Sequence, residues 1–332
     1  MRIAVSGLRH GHIASILKEV KHHEQVQIVG VAEREPELAR KFIDAAGVQV
    51  THRTLGELLA EVECDAVAVG DVYADRGAQV IEALEAGKHV LADKPLCTRV
   101  KEIERIRALA QKKGLTVMVA FTLRYTAAWQ TVRRIIAEGA IGQVCTATFH
   151  GQHPLSYGTG RPEWYFEKGR HGGTINDIMV HGIDSVAYLT GQPVVEVLAA
   201  RAWNMEPAEA PFFQDCDQAL FRLANGAGAM MEASYKAPKG HPSNWTARLW
   251  GTQGDLTAMA SGEITLRRAG EPAKTIEAKV ENRSNVGDDF LHETGGLPGH
   301  RPELTTAESL DSTEKAVRTQ WAADEKKSFV AV

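Results

Sequence analysis

The sequence has few of the features that mark secreted, membrane or nucleic-acid-binding proteins. Its four cysteines, Cys64, Cys97, Cys145 and Cys216, stand far apart and form no CxxC pair, which is typical of buried thiols rather than of disulfides or zinc ligands. No apolar run approaches the roughly 20 residues of a membrane span. A net charge of -4 without a long basic run gives no footprint for nucleic acid or an anionic membrane. Because a strand pattern begins at the N-terminus, we expect no signal peptide and a cytoplasmic protein that handles a small molecule.

The first third of the chain has the pattern of a doubly wound parallel sheet. Continuous apolar runs alternate with helical patterns, and such runs are typical of strands covered on both faces. The predicted strands are Ile3–Ser6, Gln27–Ala32, Ala66–Val69, His89–Ala92 and Thr116–Ala120, with helices at about 11–22, 36–46, 54–61, 74–86 and 99–113. Two domains are expected at 332 residues. We predict that residues 1–122 form a dinucleotide-binding domain of the Rossmann type.

After residue 122 the pattern changes to strands joined by short turns. A helix at about 126–138 leads to a strand at about 143–150, a loop to about 172 and a second helix that ends near Leu189. Strand-like runs follow at 194–203, 212–223, 228–235, 245–250, 255–259 and 263–267. Turn signals such as Asn225-Gly226 join several of them. We predict an α+β domain over 123–332, with a large open, mostly antiparallel sheet and a C-terminal helix at about 307–323.

A glycine-rich turn, Gly7-Leu8-Arg9-His10-Gly11-His12, stands between the first predicted strand and helix. Such a turn lets backbone N–H groups approach a phosphate, although Arg9 occupies the place of the middle glycine in G-x-G-x-x-G, and an ordinary tight turn is the alternative. Glu33, at the end of the second strand, could accept hydrogen bonds from an adenosine ribose. Its carboxylate would repel a 2′-phosphate and so favours NAD over NADP. Arg34 could instead bind that phosphate, stack on adenine or lie in solvent.

A polar stripe follows Gly172-Gly173 on the helix that ends near Leu189. At helical spacing Asp177, His181, Asp184 and Tyr188 share one face, whereas the other positions are mostly small or apolar. A helix that is apolar nearly all round is normally buried, and buried ionisable groups need partners or a function. We expect the stripe to line a cavity. The alternatives are a capping box between Thr174 and Asp177 and a core histidine at position 181.

Lys94 ends the run His89-Val90-Leu91-Ala92-Asp93-Lys94-Pro95. Ligands of open α/β sheets bind outside the carboxyl ends of the strands, so a lysine there would reach a cofactor crevice. Pro95 restricts the backbone of Lys94 towards extended geometry and would aim its side chain. The alternative is an exposed turn lysine beside Asp93.

These motifs occur in the order known from one family. The sequence carries Gly7-Leu8-Arg9-His10-Gly11-His12, Ala92-Asp93-Lys94-Pro95-Leu96, Gly172-Gly173-(x3)-Asp177-(x3)-His181-(x2)-Asp184 and Leu249-Trp250-Gly251-Thr252-Gln253-Gly254. Over nearly its whole length the chain resembles the Gfo/Idh/MocA family of nicotinamide-dependent sugar and polyol oxidoreductases. The resemblance implies a Rossmann domain, a second domain on a large open sheet, and a crevice between them for nicotinamide and substrate. It also implies that Lys94, Asp177 and His181 are the catalytic set.

Some positions depart from the family pattern or extend it. Asp71 lies in Val69-Gly70-Asp71-Val72-Tyr73, where a Thr-Pro-Asn-like turn usually contacts the cofactor, and Asp93 stands where glutamate is common. The resemblance makes Arg124 a candidate for substrate or cofactor contact, with an interdomain ion pair as the alternative. In the loop 150–171, His153 and Trp164 are candidate substrate contacts, since aromatic and polar side chains together suit a sugar. No HExxH or Cys-His spacing is present, so we expect no metal.

The leading hypothesis is an NAD-dependent dehydrogenase, with NADP possible, that acts on a secondary hydroxyl of a sugar, an inositol-like polyol or a glycoside. Removal of the hydroxyl proton during hydride transfer requires a base, and His181 suits that role. Asp177 could orient His181, and Lys94 could stabilise developing alkoxide charge. A non-catalytic NAD-sensing regulator and redox-neutral chemistry with tightly bound NAD are the alternatives. The large open sheet suggests a homodimer or homotetramer, with neither nucleic acid nor membrane as a partner.

Overall fold

A computed structural model describes residues 1–158, 160–238 and 244–332, and the chain divides into two compact units. The first unit comprises Met1–Phe121, Pro162–Gly172 and Ser284–Thr313, and the second comprises Thr122–Arg161, Gly173–Arg283 and Glu314–Val332. Two segments beyond the predicted boundary at residue 122 therefore pack with the N-terminal residues. Among the described residues, no helix combines the length and the apolar composition that crossing a membrane requires.

The first unit is built on a parallel sheet, which has five strands in the order β2-β1-β3-β4-β5 within the described residues. The strands are β1 (Arg2–Ser6), β2 (Gln27–Ala32), β3 (Ala66–Val69), β4 (His89–Ala92) and β5 (Val117–Val119). The helices of this part are α1 (His12–Lys21), α2 (Pro36–Ala46), α3 (Leu55–Glu61), α4 (Tyr73–Glu85) and α5 (Val100–Lys113). All four residues of β3 are fully buried, as strands covered on both faces should be. The predicted doubly wound parallel sheet is confirmed.

The second unit is built on a large sheet, which has nine strands in the order β13-β12-β11-β10-β6-β9-β8-β7-β14 over the described residues. The strands are β6 (Val144–Pro154), β7 (Val194–Trp203), β8 (Cys216–Leu223), β9 (Gly228–Ala237), β10 (Asn244–Gly251), β11 (Gly254–Met259), β12 (Ile264–Arg268), β13 (Lys274–Ile276) and β14 (Val330–Ala331). Neighbouring strands run antiparallel except β6 and β9, which are parallel. This confirms the predicted open, mostly antiparallel sheet. Helices α6 (Ala127–Ala137) and α7 (Val180–Thr190) pack against each other, and α7 also packs on β6.

Two local differences from the sequence predictions have physical causes. Strand β8 begins at Cys216 rather than 212, because the Asp215 carboxylate accepts hydrogen bonds from the N–H groups of Met205 and Glu206 and holds a turn. A helix α8 (Val286–Glu293) forms where a loop was expected, and its start is fixed by a reciprocal capping box between Asn285 and Asp288. The last helix, α9 (Thr306–Asp324), agrees closely with its prediction.

Candidate functional site

The glycine-rich turn of the first unit is shaped to let a ligand approach the backbone. Gly7 has φ +74°, and a Cβ atom there would lie 2.3 Å from Cβ of Asp71, so only glycine fits. Gly11, which has no capping side chain, precedes the first residue of α1. The N-terminal end of α1 thus offers backbone N–H groups and the positive end of the helix dipole to an anion.

Glu33 lies at the same edge of the parallel sheet and is almost fully buried. Its carboxylate accepts hydrogen bonds from the N–H of Leu8 at 2.7 Å and of Glu35 at 2.9 Å. Burial raises the pKa of Glu33, and the charge of Asp71 acts in the same direction, whereas the two N–H donors oppose it. The acid is therefore already oriented towards the glycine-rich turn.

A small pocket opens beside these groups. Its lining residues are Ser6, Gly7, Ala32, Arg34, Arg53, Thr54, Leu55, Asp71 and Gln79. Arg53 donates to the carbonyl oxygen of Arg34 at 3.2 Å, and Asp71 accepts hydrogen bonds from the N–H of Val72 and from the amide of Gln79. Together with the Gly7 cradle, this set fits the ribose and phosphates of a dinucleotide, which need hydroxyl acceptors and phosphate donors side by side.

Asp93 is the centre of a buried polar cluster. Its carboxylate pairs with Nδ1 of His10 at 2.7 Å, with Nδ1 of His12 at 3.0 Å and with the Arg76 guanidinium at 2.8 Å. Burial opposes ionisation of Asp93, but Arg76 and the two imidazoles outweigh it and hold the pKa well below its usual range. Burial, followed by the charge of His12, lowers the pKa of His10 to about 3. His10 is therefore neutral and donates from Nδ1.

The same cluster bears on the question of a metal. Atoms of His10, His12 and Asp93 lie within 4.8 Å of one another, and two imidazoles with a carboxylate are a known ligand set for zinc. However, the Arg76 guanidinium already lies 2.8 Å from one oxygen of that carboxylate. Its fixed positive charge would repel a metal cation, so the cluster is best described as a hydrogen-bonded ion pair.

Lys94 and Trp164 both belong to the first unit. Lys94 follows β4 at the carboxyl edge of the parallel sheet, as predicted, and is only 4% exposed. The indole N–H of Trp164 donates to the carbonyl oxygen of Arg9 at 3.0 Å, and Tyr165 is hydrogen-bonded to Nε2 of His10 at 3.0 Å. Trp164 therefore packs on the glycine-rich turn, and its contact with substrate stays a prediction. Tyr165 was not singled out from the sequence, because nothing in a loop pattern shows which aromatic residue is buried.

In the second unit, Asp177 lies in a single π-helical turn, Ile175–Met179, which runs directly into α7. Such turns occur frequently at functional sites. The hydroxyl of Tyr235 donates to Oδ2 of the fully buried Asp177. The capping-box alternative is wrong, because Thr174 makes no cap and instead donates from its hydroxyl to the carbonyl oxygen of Gln214.

His181 and His153 lie near Asp177 on the same side of the large sheet. The His181 ring meets the Trp245 ring edge to face, with centroids 5.0 Å apart. His153 lies 6.4 Å from Trp245 and 6.0 Å from Tyr235 by ring centroids. Gly151 leaves room for the indole, since a Cβ there would lie 2.9 Å from it. The second unit thus brings together three residues predicted from the sequence with two, Tyr235 and Trp245, that were missed.

Arg161 completes this cluster. One guanidinium nitrogen lies 2.7 Å from Nδ1 of His153, and the guanidinium lies over the Tyr235 ring at 5.3 Å. The strand register could have pointed to Tyr235, because alternate residues of β9 face the same side. That inference, however, needs the register in which Gln152 pairs with Ser234 and His153 lies level with Tyr235. This register cannot be read from the sequence.

Arg124 is placed differently from the other candidates. It is buried and holds Asp184 with hydrogen bonds at 2.8 to 3.1 Å, and its guanidinium lies 5.0 Å from the Tyr188 ring. All three residues belong to the second unit, so this is an ion pair within one unit. The lower half of the predicted stripe, Asp184 and Tyr188, therefore supports α7, and contact of Arg124 with a ligand stays a prediction.

Comparison with known proteins agrees with both units. The model of the oxidoreductase family with an NAD-binding Rossmann fold matches residues 1–121, and the model of the GFO/IDH/MocA C-terminal domain matches residues 129–257. The chain belongs to the Gfo/Idh/MocA oxidoreductase family. Its first unit accordingly contains an NAD-binding Rossmann domain, and the predicted family and cofactor class are confirmed.

The individual relatives compared with this chain share low sequence identity with it. Inositol 2-dehydrogenase from Rhizobium meliloti is 26% identical over 81% of the chain and 79% of its own length. Among eight curated relatives, the alignments span from 52% to 79% of the relatives' own lengths. An oxidoreductase structure from Thermotoga maritima superposes over the full length of both chains with a TM-score of 0.87 at 24% identity. A levoglucosan dehydrogenase in complex with NADH and levoglucosan gives 0.78 at 21% identity, covering 100% of this chain and 99% of its own. These structures support the fold.

Proposed function

We propose that the protein is an NAD-dependent dehydrogenase that oxidises a secondary hydroxyl of a sugar, an inositol-like polyol or a glycoside. The observation that carries this proposal is the cluster of Asp177, His181 and His153 with Tyr235 and Trp245 on one side of the large sheet. Aromatic rings suit the C–H faces of a sugar ring, and the carboxylate and imidazoles suit its hydroxyls. Relatives named as inositol and levoglucosan dehydrogenases support the same substrate class.

The dinucleotide would be held by the glycine-rich turn through its phosphates and by Glu33 through a ribose hydroxyl. When bound, it supplies the hydride acceptor. The two acids in and beside its pocket, Glu33 and Asp71, are unfavourable neighbours for a 2′-phosphate, which supports NAD over NADP. Arg34 and Arg53 at the same pocket are the groups through which NADP could still bind.

The proton chemistry falls to the side chains. His181 removes the hydroxyl proton of the substrate, since an imidazole titrates near neutral pH. Asp177, fixed by the hydroxyl of Tyr235, orients the substrate or His181 through hydrogen bonds. Lys94 stabilises the negative charge that develops on the oxygen as its proton leaves. That Lys94, from the first unit, acts with Asp177 and His181, from the second, is part of the proposal.

The test is an absorbance assay at the reduced-nicotinamide band, with NAD and a panel of myo-inositol, scyllo-inositol, D-glucose and levoglucosan. We expect at least one alcohol to be turned over, and we expect Lys94→Ala and His181→Ala each to lower kcat by about a hundredfold or more. The thermal transition of each variant should stay within a few degrees of the wild type. Near wild-type rates in both variants would refute these roles. Tight NAD binding with no turnover across a broad panel would favour a regulator.

We also propose that the protein forms a homo-oligomer through the outward face of the large sheet. Leu220, Met230 and Trp250 point to that face and are 46%, 48% and 42% exposed. Arg201 and Glu232 lie beside Leu220 and Met230, and a face that carries both charge signs can be complementary to a second copy of itself. Sedimentation of Met230→Lys should show dissociation towards monomers, and an unchanged oligomer would place the interface elsewhere.

A further inference from the structure

Arg76 is a fully buried arginine on α4 whose hydrogen bonds reach the segment that follows β3 and the turn that follows β4. Its Nε donates to the carbonyl oxygen of Asp71 at 2.7 Å. One terminal nitrogen donates to the carbonyl oxygens of Lys94 at 2.7 Å and Pro95 at 3.1 Å. The other terminal nitrogen donates to the carboxylate of Asp93 at 2.8 Å.

Burying a guanidinium is costly unless every donor direction is used. A hydrophobic side chain of similar volume would usually stabilise a core as well or better. What the arginine provides at this position is a fixed backbone geometry. Three of its four acceptors are backbone carbonyl oxygens, and two of these belong to the consecutive residues Lys94 and Pro95. A planar guanidinium can bind several such acceptors in fixed directions, which an ammonium group cannot do.

Through Asp93 the same side chain is connected to the glycine-rich turn. The second carboxylate oxygen of Asp93 binds His12, and the oxygen that receives Arg76 also binds His10. The guanidinium of Arg76 further lies over the ring of Tyr73, 4.5 Å from its centroid, so this ring covers one of its faces. One side chain therefore holds both the turn that carries Lys94 and, through one carboxylate, the turn proposed to bind the phosphates.

We propose that Arg76 is a positioning residue that fixes the backbone of Lys94, so that its side chain is aimed at the reacting oxygen. The inference rests on the catalytic role proposed above for Lys94. Arg76 touches neither substrate nor cofactor in this role, and it acts through the carbonyl oxygens of residues 94 and 95. Because a misplacement of about 1 Å can cost about a hundredfold in rate, loss of the guanidinium should lower turnover strongly.

The test uses Arg76→Lys, which keeps the charge but loses the planar fork, and Arg76→Ala, which opens a guanidinium-sized cavity. With NAD and the panel alcohol that the wild type oxidises fastest, Arg76→Lys should lower kcat about tenfold to a hundredfold. The KM for the alcohol should change by less than about threefold, because the groups that would bind it remain. Ethylguanidinium added to Arg76→Ala should restore part of kcat. Arg105→Lys, an exposed arginine paired with Glu85, is the matched control and should keep wild-type kinetics.

The outcomes separate this inference from the proposed function. If Lys94→Ala abolishes turnover while Arg76→Lys folds and keeps wild-type kcat, the positioning role is wrong and the proposed function stands. If Lys94→Ala itself keeps its rate, the proposed function fails and the inference fails with it. If Arg76→Ala does not fold, the kcat values of Arg76→Lys and Arg76→Gln decide whether Arg76 has the positioning role. Arg76 would have only a structural role under two conditions. The first is that kcat falls only in proportion to the fraction of protein that is unfolded at the assay temperature. The second is that ethylguanidinium does not restore kcat in a folded variant.

Discussion

Removal of the Tyr235 hydroxyl tests the chemistry of the second unit at one atom. In Tyr235→Phe the ring remains, so its contacts with His153 and Phe213 are retained, but Asp177 loses a hydrogen bond to its buried carboxylate. Hydrogen bonds to charged groups are worth about 1.5–3 kcal/mol. At 1.36 kcal/mol per tenfold change, the expected loss in kcat/KM is about 10-fold to 160-fold if the bond acts mainly in the transition state.

The pH profile separates this effect from general damage. A carboxylate that loses a donor to its charged form becomes easier to protonate. The proposed mechanism needs Asp177 ionised as well as His181 neutral, so easier protonation of Asp177 should move the acid limb of kcat/KM to higher pH in Tyr235→Phe. The deficit should then be largest at low pH and shrink as pH rises. The assay is NAD reduction with the best panel alcohol across the pH range in which the variant stays folded.

Tyr188→Phe is the matched control. Tyr188 is a buried tyrosine of the same unit whose ring face contacts Arg124 and Arg133, and the substitution keeps that ring. It should leave kcat/KM and the acid limb unchanged. A Tyr235→Phe enzyme with kcat/KM within twofold of the wild type and an unmoved acid limb would refute the reasoning.

Three further predictions concern the cofactor and stability. Glu33→Ala should lower the ratio of kcat/KM for NAD to that for NADP, and an unchanged ratio would remove Glu33 from cofactor choice. Arg124→Met should lower the free energy of unfolding by about 3–5 kcal/mol, because it leaves the buried Asp184 charge unpaired; denaturant melts should show recovery in the double variant with Asp184→Leu. Burial raises the pKa of Asp217 well above its usual value, so its favourable contribution is complete below the unfolded pKa of about 3.9 and is lost as pH rises through the folded pKa. Relative to the wild type, Asp217→Asn should therefore gain thermal stability as pH rises, and a pH-independent difference would contradict this.

Much of the fold could be predicted because its signals are local. Apolar strands alternating with helices specify the parallel sheet without knowledge of distant contacts. The same holds for the turn after β1 and for the lysine after β4, since both follow from where a buried strand ends. Helix α8 was missed because its polar first turn and its Gly-rich continuation resemble a loop, and its burial depends on packing against α1.

The partners of the site residues could not be predicted, because they arrive from distant parts of the chain. Asp177 is held by a tyrosine 58 positions later in the sequence, and His10 by a carboxylate 83 positions later. Nothing near Arg76 in the sequence shows that its acceptors are backbone carbonyl oxygens, since carbonyl groups leave no signature in a residue pattern. A fully buried arginine read from helical spacing alone is indistinguishable from one on a solvated face.

The polar stripe that the sequence shows as one feature divides into two in the structure. In its first half, Asp177 lies in a π-helical turn. The side chain of Gln320 packs against the start of this turn, where its oxygen accepts a hydrogen bond from the N–H of Ile175. Gly173 leaves room for that side chain, because a Cβ at position 173 would lie 2.1 Å from it. Its second half, Asp184, is neutralised by Arg124 inside the same unit. The charge of Asp184 is compensated by Arg124 in the core, whereas Asp177 accepts a hydrogen bond from the hydroxyl of Tyr235. That difference in partner, rather than position on the helix, is why the proposed function assigns the orienting role beside His181 to Asp177 and not to Asp184.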